Sequence, residues 1–167
     1  VTHSVNGIQY GGADTKVSNA NVNYDNVSLG FYSRTNTANT GIDIGASNTA
    51  ANSRFMIHSR YSDGNAYFTA FNATSERIVK SAAGNSLGLY ILSRTANNLL
   101  KAYKNGVFLG SNTNIRSSVF HESIFINLQN TNRNYAFVFI GSGLSDANAV
   151  DLNSIVQQYQ TMLGRAV

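Results

Sequence analysis

Tyr135-Ala-Phe-Val-Phe-Ile140, then Gly141-Ser-Gly-Leu-Ser145, then a polar stretch with regularly spaced apolar residues, is the part of this chain that decides its fold. The first run is a strand, apolar at every position. Tyr135, Phe137 and Phe139 fall on one face by the two-residue period; Ala136, Val138 and Ile140 fall on the other. A strand wetted on one side alternates apolar with polar residues, so this one is expected to lie centrally with both faces covered. The stretch after Ser145 predicts a helix over about 145–164. Ser145 is a good N-cap and Asp146 places negative charge in the first turn, where the helix dipole favours it. Ala149, Leu152, Val156, Tyr159 and Leu163 recur at helical spacing, with Ile155 and Met162 widening the stripe and Asn153, Gln157, Gln158 and Gln160 on the other surface. Gly164 suits the left-handed C-terminal position, and Arg165 adds a cation there. The expectation is that the stripe packs against a sheet face. A membrane or partner helix is disfavoured, since the polar face carries amides rather than a basic cluster.

Upstream, short β runs alternate with turn residues, the rhythm of a sandwich or barrel. Candidate strands are Ser28–Ser33, Gly41–Gly45, Arg54–Arg60, Asn65–Phe71, Leu87–Ser93, Leu99–Lys104, Val107–Leu109 and Ile124–Leu128. Between two of them stands Asn105-Gly106, the pair that favours a type I′ hairpin turn because both positions tolerate positive φ. The opening Val1–Gly7 also reads as a strand and a turn.

The 167 residues are expected to form one domain, 1–167, large enough to bury a core without staples. With no initiator Met, the chain is read as the C-terminal part of a longer protein. Cysteine is absent, so disulfides and thiolate metal sites are excluded. Charged residues make up 12% of the chain and the net charge is +4, from Lys and Arg scattered singly. No basic run interleaves with aromatics, which argues against a nucleic-acid groove, and no apolar run has the length of a membrane span. Solubility falls to neutral polar residues, among them 23 Asn. Such a surface suits neutral sugars, an extracellular face or a virion equally, and Asn is in any case a good turn residue.

Lys104-Asn-Gly-Val-Phe-Leu-Gly110 resembles the "tyrosine, x, asparagine-glycine" hairpin of laminin-G-like domains in the concanavalin-A-like lectin and glucanase superfamily. Leu144-Ser-Asp-Ala-Asn148 resembles the "leucine-serine-aspartate" close of the same domains. The likeness covers the C-terminal half by motif and the N-terminal half by strand rhythm. The Ser-Arg-Thr strand ends and Asn-rich surface look like domains of phage tail and fibre proteins and of Bacteroidetes surface proteins. The resemblance implies an all-β, two-sheet antiparallel jelly-roll sandwich with one C-terminal α-helix packed on it. It further implies binding on a concave face or rim loops, at the virion or cell surface.

Hydrolases of that superfamily place carboxylates at alternating positions of one strand, because glycoside cleavage needs two carboxylates across the bond. The eight acids here are Asp14, Asp25, Asp43, Asp63, Glu76, Glu122, Asp146 and Asp151, and none pairs at i, i+2 on a strand. An enzyme is therefore disfavoured. His3, His58 and His121 lack metal-ligand spacing; His58, alternating with Met56, reads as a hydrogen-bonded structural histidine. Calcium is the one cofactor left open. Asp63, in Ser62-Asp-Gly-Asn65, is its candidate ligand, and a plain Asp-Gly turn explains the residue equally well.

One pattern points to a binding site. Ser33-Arg34-Thr35, Ser59-Arg60-Tyr61 and Ser93-Arg94-Thr95 all stand at predicted strand ends. If any two strands run the same way, their arginines gather at one rim of the sandwich. Arg forks bond hydroxyls and carboxylates, and Tyr61 or Tyr67 offers a ring for a sugar to stack on. Each Arg taken alone is better read as covering a sheet edge with its stem or forming a salt bridge. The expected role is a non-catalytic module binding a cell-surface polysaccharide, glycan or receptor. The alternative is a structural domain contacting virion or surface-protein subunits, including copies of itself.

Overall fold

The computed structural model describes residues 2–4, 7–9, 23–48, 52–117, 124–128 and 132–167. Two antiparallel sheets pack face to face. The first has seven strands: β1 (Thr2–Ser4), β2 (Gly7–Gln9), β12 (Tyr135–Gly141), β3 (Val27–Ser33), β8 (Gly88–Ala96), β9 (Leu99–Lys104) and β10 (Val107–Asn112), in that spatial order. The second has five: β11 (Phe125–Leu128), β4 (Ile42–Asn48), β5 (Ser53–His58), β6 (Asn65–Asn72) and β7 (Ile78–Ser81). One helix, α1 (Asp146–Met162), closes the chain. The all-β sandwich with a C-terminal helix is as the sequence implies. β7 is an addition: its run offers only Ile78 and Val79 as apolar residues, too little for a periodic signal.

Alternation explains the core. Leu29 and Phe31 of β3, Ile44 and Ala46 of β4, Phe55 and Ile57 of β5, Phe68 and Ala70 of β6, and Tyr90 and Leu92 of β8 point between the sheets. Burial of these side chains contributes on the order of 1.5–3 kcal/mol each. A bulge between Arg54 and Phe55 opposite β6, together with φ 60 at Phe71, turns Phe71 inward as well, so its ring stacks on Phe55 at 4.8 Å. The Asn105-Gly106 hairpin has φ 51 and 75, as a type I′ turn requires.

A second apolar layer lies on the outer face of the seven-stranded sheet. Tyr32, Leu89, Ile91 and Tyr103 meet Ala149 and Val156 of α1, with Phe137, Phe139 and Leu152 half-buried at its margin. The helix therefore packs on a sheet, as expected. Ser145 caps it, accepting from Asn148 N at 3.2 Å, and Gly164 takes φ 65 at its end. A Cβ on Gly30 would run into the ring of Phe139, so this glycine makes the room that the aromatic residue opposite it fills.

Two details of the closing segment differ from the two-residue and helical periods. A bulge between Tyr135 and Phe137 shifts the face assignment, so Tyr135 joins the inter-sheet core with Val138 while Phe137 and Phe139 lie under the helix. α1 is also rotated from its apolar stripe. Gln160 is fully buried and Asn153 and Gln157 are half-buried, whereas Ile155, Tyr159 and Met162 are 63%, 51% and 85% exposed. Polar anchors set this angle: Tyr32 Oη donates to Gln157 Oε1 at 3.1 Å, and Tyr103 Oη donates to Asp146 Oδ1 at 2.6 Å.

Candidate functional site

β3 and β5 end at the same end of the sandwich, so Arg34 and Arg60 arrive at one rim. Arg34 N donates to Asn134 O at 2.9 Å. Arg60 Nη1 donates to Gly84 O at 2.9 Å and Asn36 Oδ1 at 3.3 Å, while its Nε has no acceptor. Three segments interlock here. Ser86 N donates to Asn36 Oδ1 at 3.0 Å, Ser86 Oγ to Thr35 O at 2.9 Å, and Thr37 N to Ser86 Oγ at 3.1 Å. Lys104, at the tip of the β9–β10 hairpin, donates to Asn85 O at 2.7 Å and lies 5.2 Å over the Tyr90 ring. Burial lowers the Lys104 pKa and raises that of Tyr90.

Below this rim sits a buried ionic hub. Asp43 and Arg133 are both fully buried and bonded to each other through Oδ1 and Nη1. Tyr135 Oη donates to Asp43 Oδ1 at 2.7 Å, and Ser59 donates to Oδ2 through its N (2.6 Å) and Oγ (2.8 Å). Arg133 Nη2 donates to Thr37 O and Arg60 O at 2.7 and 2.6 Å. The hub thus holds the rim backbone by charge-assisted bonds, the strong kind. Nothing local marks Asp43 and Arg133 as partners, since they lie 90 residues apart.

An aromatic corner adjoins the rim. Tyr61 meets His58 and Tyr67 edge-on, at 5.3 and 5.7 Å between ring centres. Tyr61 is half-buried; Tyr67 is only 6% exposed, and the Arg77 guanidinium covers its ring at 3.8 Å. Tyr61 is thus the ring of the two that reaches solvent. Tyr67 Oη donates to Asp63 Oδ2, which lowers the Asp63 pKa and raises that of Tyr67. Asp63 Oδ1 accepts from Asn65 N at 2.9 Å, the bond of an Asx turn. Both oxygens of the calcium candidate are thus engaged, one inside its own turn and one by Tyr67 of β6, and among the described residues no group of three His, Cys, Asp or Glu is placed to hold a metal. His58 is the hydrogen-bonded structural histidine expected: its Nδ1 lies 2.9 Å from Gly41 O, and burial lowers its pKa.

Arg94 stands apart. β8 runs antiparallel to β3, and Arg94 pairs with Val27 at the start of that strand, so it lies at the opposite end from Arg34. It is fully buried, with Nε and Nη2 donating to Ala70 O at 3.2 and 2.7 Å, Nη2 also to Asn72 Oδ1, and Nη1 to Ala96 O and Asn97 O. Its guanidinium is committed to backbone carbonyls and the Asn72 amide oxygen, leaving none of it for a rim. The acids are dispersed too. Asp25 faces Arg116, Asp43 faces Arg133 and Asp146 faces Lys101, each a cation rather than a second carboxylate. Asp14, Glu122 and His121, and the side chain of His3, lie outside the described residues. Lys104 and Asn36 join the rim with no motif that marks them as binding residues; the position of Lys104 next to the Asn105-Gly106 turn is the signal that locates it at a sandwich end.

No helix among the described residues is long and apolar enough to cross a membrane. No family model and no curated protein matches the sequence. Solved structures do. The binding domain of botulinum neurotoxin DC, in complex with rat synaptotagmin II, has a TM-score of 0.58 at 17% identity over 83% of this chain and 37% of that one. The botulinum neurotoxin serotype D binding domain gives 0.56 at 12% identity over 87% and 39%. The binding domain of Paraclostridial Mosquitocidal Protein 1 gives 0.52 at 15% identity over 81% and 38%. The chain spans well under half the length of each, and at these identities the likeness is one of fold: a β-sandwich.

Proposed function

We propose that this chain is a non-catalytic binding module of the laminin-G-like, concanavalin-A-like kind, displayed on a phage particle or bacterial surface as one domain of a longer protein. It takes a cell-surface polysaccharide or other glycan at the rim around Arg34, Arg60 and Tyr61. The observation that carries this reading is the arrival of the half-buried Arg34 and Arg60 at one end of the sandwich, with the half-buried Tyr61 next in the chain. Rim loops on a rigid sandwich are a common place for binding groups. Tyr67 supports Tyr61 rather than stacking on a ligand itself. The dispersal of the carboxylates favours binding over hydrolysis. The similar solved structures, which are binding domains of two botulinum neurotoxins and a mosquitocidal protein, support a binding module in general.

The test is a glycan array probed with the wild-type chain and the Arg34→Ala, Arg60→Ala and Tyr61→Ala variants. Loss of a wild-type signal in all three is expected. A signal that survives all three substitutions defeats the site. The alternative, a structural domain contacting other virion or surface-protein subunits, is favoured by the exposed apolar flank of α1.

A further inference from the structure

The rotation of α1 that buries Gln160 leaves Ile155, Tyr159 and Met162 on its open flank, and Leu163 beside them is 46% exposed. Positions i, i+4 and i+7 form one continuous stripe on a helix. The stripe continues the half-buried Leu152, Phe137 and Phe139 at the edge of the outer apolar layer. An exposed apolar strip of this kind marks an interaction surface.

Its charges specify the occupant. Asn148, Ser154, Gln158 and Thr161 on the open side are uncharged. Asp151 precedes the stripe, and Arg165 follows it just past the Gly164 turn that ends the helix, where its N donates to Gln160 O at 2.8 Å. Neither has an ion-pair partner among the described residues. A second α1 laid antiparallel with its dyad beside Tyr159 sets Ile155 against Met162. The same placement sets Asp151 against Arg165 at both ends. A parallel pairing opposes like charges instead.

We propose that the open flank of α1 is a self-complementary surface that pairs two copies of this chain through an antiparallel helix contact. The interface is isologous, each copy presenting the same patch. Two helices alone bury less than the roughly 1,200 Å² of a standard interface, so the pair is weak and concentration-dependent.

Sedimentation velocity of the wild-type chain over a micromolar-to-millimolar series tests this. The mass is expected to rise from 18.0 kDa toward twice that value. Ile155→Glu combined with Met162→Glu, at exposed positions outside the core, is expected to keep the chain monomeric at every concentration. Asp151→Arg or Arg165→Asp alone is expected to weaken pairing several-fold, and the two together to restore it, as only an antiparallel register allows. A wild-type chain that stays monomeric throughout overturns the proposal. So does a dimer untouched by the double glutamate variant, or a charge swap that fails to rescue. Circular dichroism of each variant separates lost pairing from lost folding.

Discussion

Ser33-Arg34-Thr35 and Ser93-Arg94-Thr95 are the same three residues, yet one belongs to an open rim and the other to a sealed end. At the sealed end Arg94 is fully buried and its donors are spent on carbonyls and one amide oxygen. At the rim Arg34 and Arg60 are half-buried, and Arg60 gives only Nη1 to neighbouring loops, at Gly84 O and Asn36 Oδ1. Local sequence cannot separate the two cases. What does so is strand polarity, which sends neighbouring strand ends to opposite poles, and the supply of acceptors at each pole. β6 presents Ala70 O and Asn72 Oδ1 to Arg94, whereas the rim loops satisfy much of their own polarity with Ser86 and Asn36. An arginine at a sandwich end is thus a staple or a binding group according to what meets it from the other sheet.

The sharpest way to break this comparison is to remove the hub under the rim. Asp43→Ala leaves Arg133 buried without its counter-charge and is expected to cost about 3–5 kcal/mol, read as a fall in the urea midpoint. A loss below about 1 kcal/mol would mean that the rim stands without it. Next comes Arg94→Ala, which empties a buried volume and strands several acceptors; a cost of about 3 kcal/mol is expected, with glycan binding kept at temperatures where the variant is folded. Binding lost in the folded variant would place Arg94 in the site after all.

A smaller effect comes from pH. His58 has a folded pKa below 6.5, because burial disfavours its charged form. The unfolded chain therefore binds the proton more readily, and stability falls as pH drops from 6.5 toward the folded pKa, then levels off as far as this group is concerned. His58→Gln is expected to flatten this part of the pH profile in thermal melts; an unchanged slope would assign it to another group. The smallest stability effect is expected at the rim itself. Arg60→Ala should move the midpoint by no more than about 0.5 kcal/mol while abolishing any array signal. A larger destabilisation would make Arg60 a staple like Arg94 and erase the contrast between the ends.

Features resting on a few neighbouring residues were readable before any fold. The Ser145 cap, the Gly164 stop and the Asn105-Gly106 turn depend on hydrogen bonds and φ values within a few residues, and most strand cores show as a two-residue period in the sequence itself. They stand where the sequence puts them. The bulge at Tyr135 was not readable, because a single extra residue reverses a strand face without altering its composition. Nor was the turn of α1: its apolar stripe points one way, but Tyr32 and Tyr103 hold Gln157 and Asp146 and set another angle. The candidate rim was legible in its parts, Arg34, Arg60 and Tyr61. The exclusion of Arg94 and the covering of Tyr67 by Arg77 were not.

By itself, then, the amino-acid order determined the class of fold, the strands long enough to show a period and the capped closing helix, because propensity, patterning and turn chemistry are local energies. Only the tertiary structure decided which arginines share a pole, that Asp43 meets Arg133 across the chain, and which flank of α1 stays open. Those outcomes depend on partners brought from distant parts of the chain. For a buried charge such as Asp43 or Arg133, the cost of desolvation is offset only where such a partner is in place.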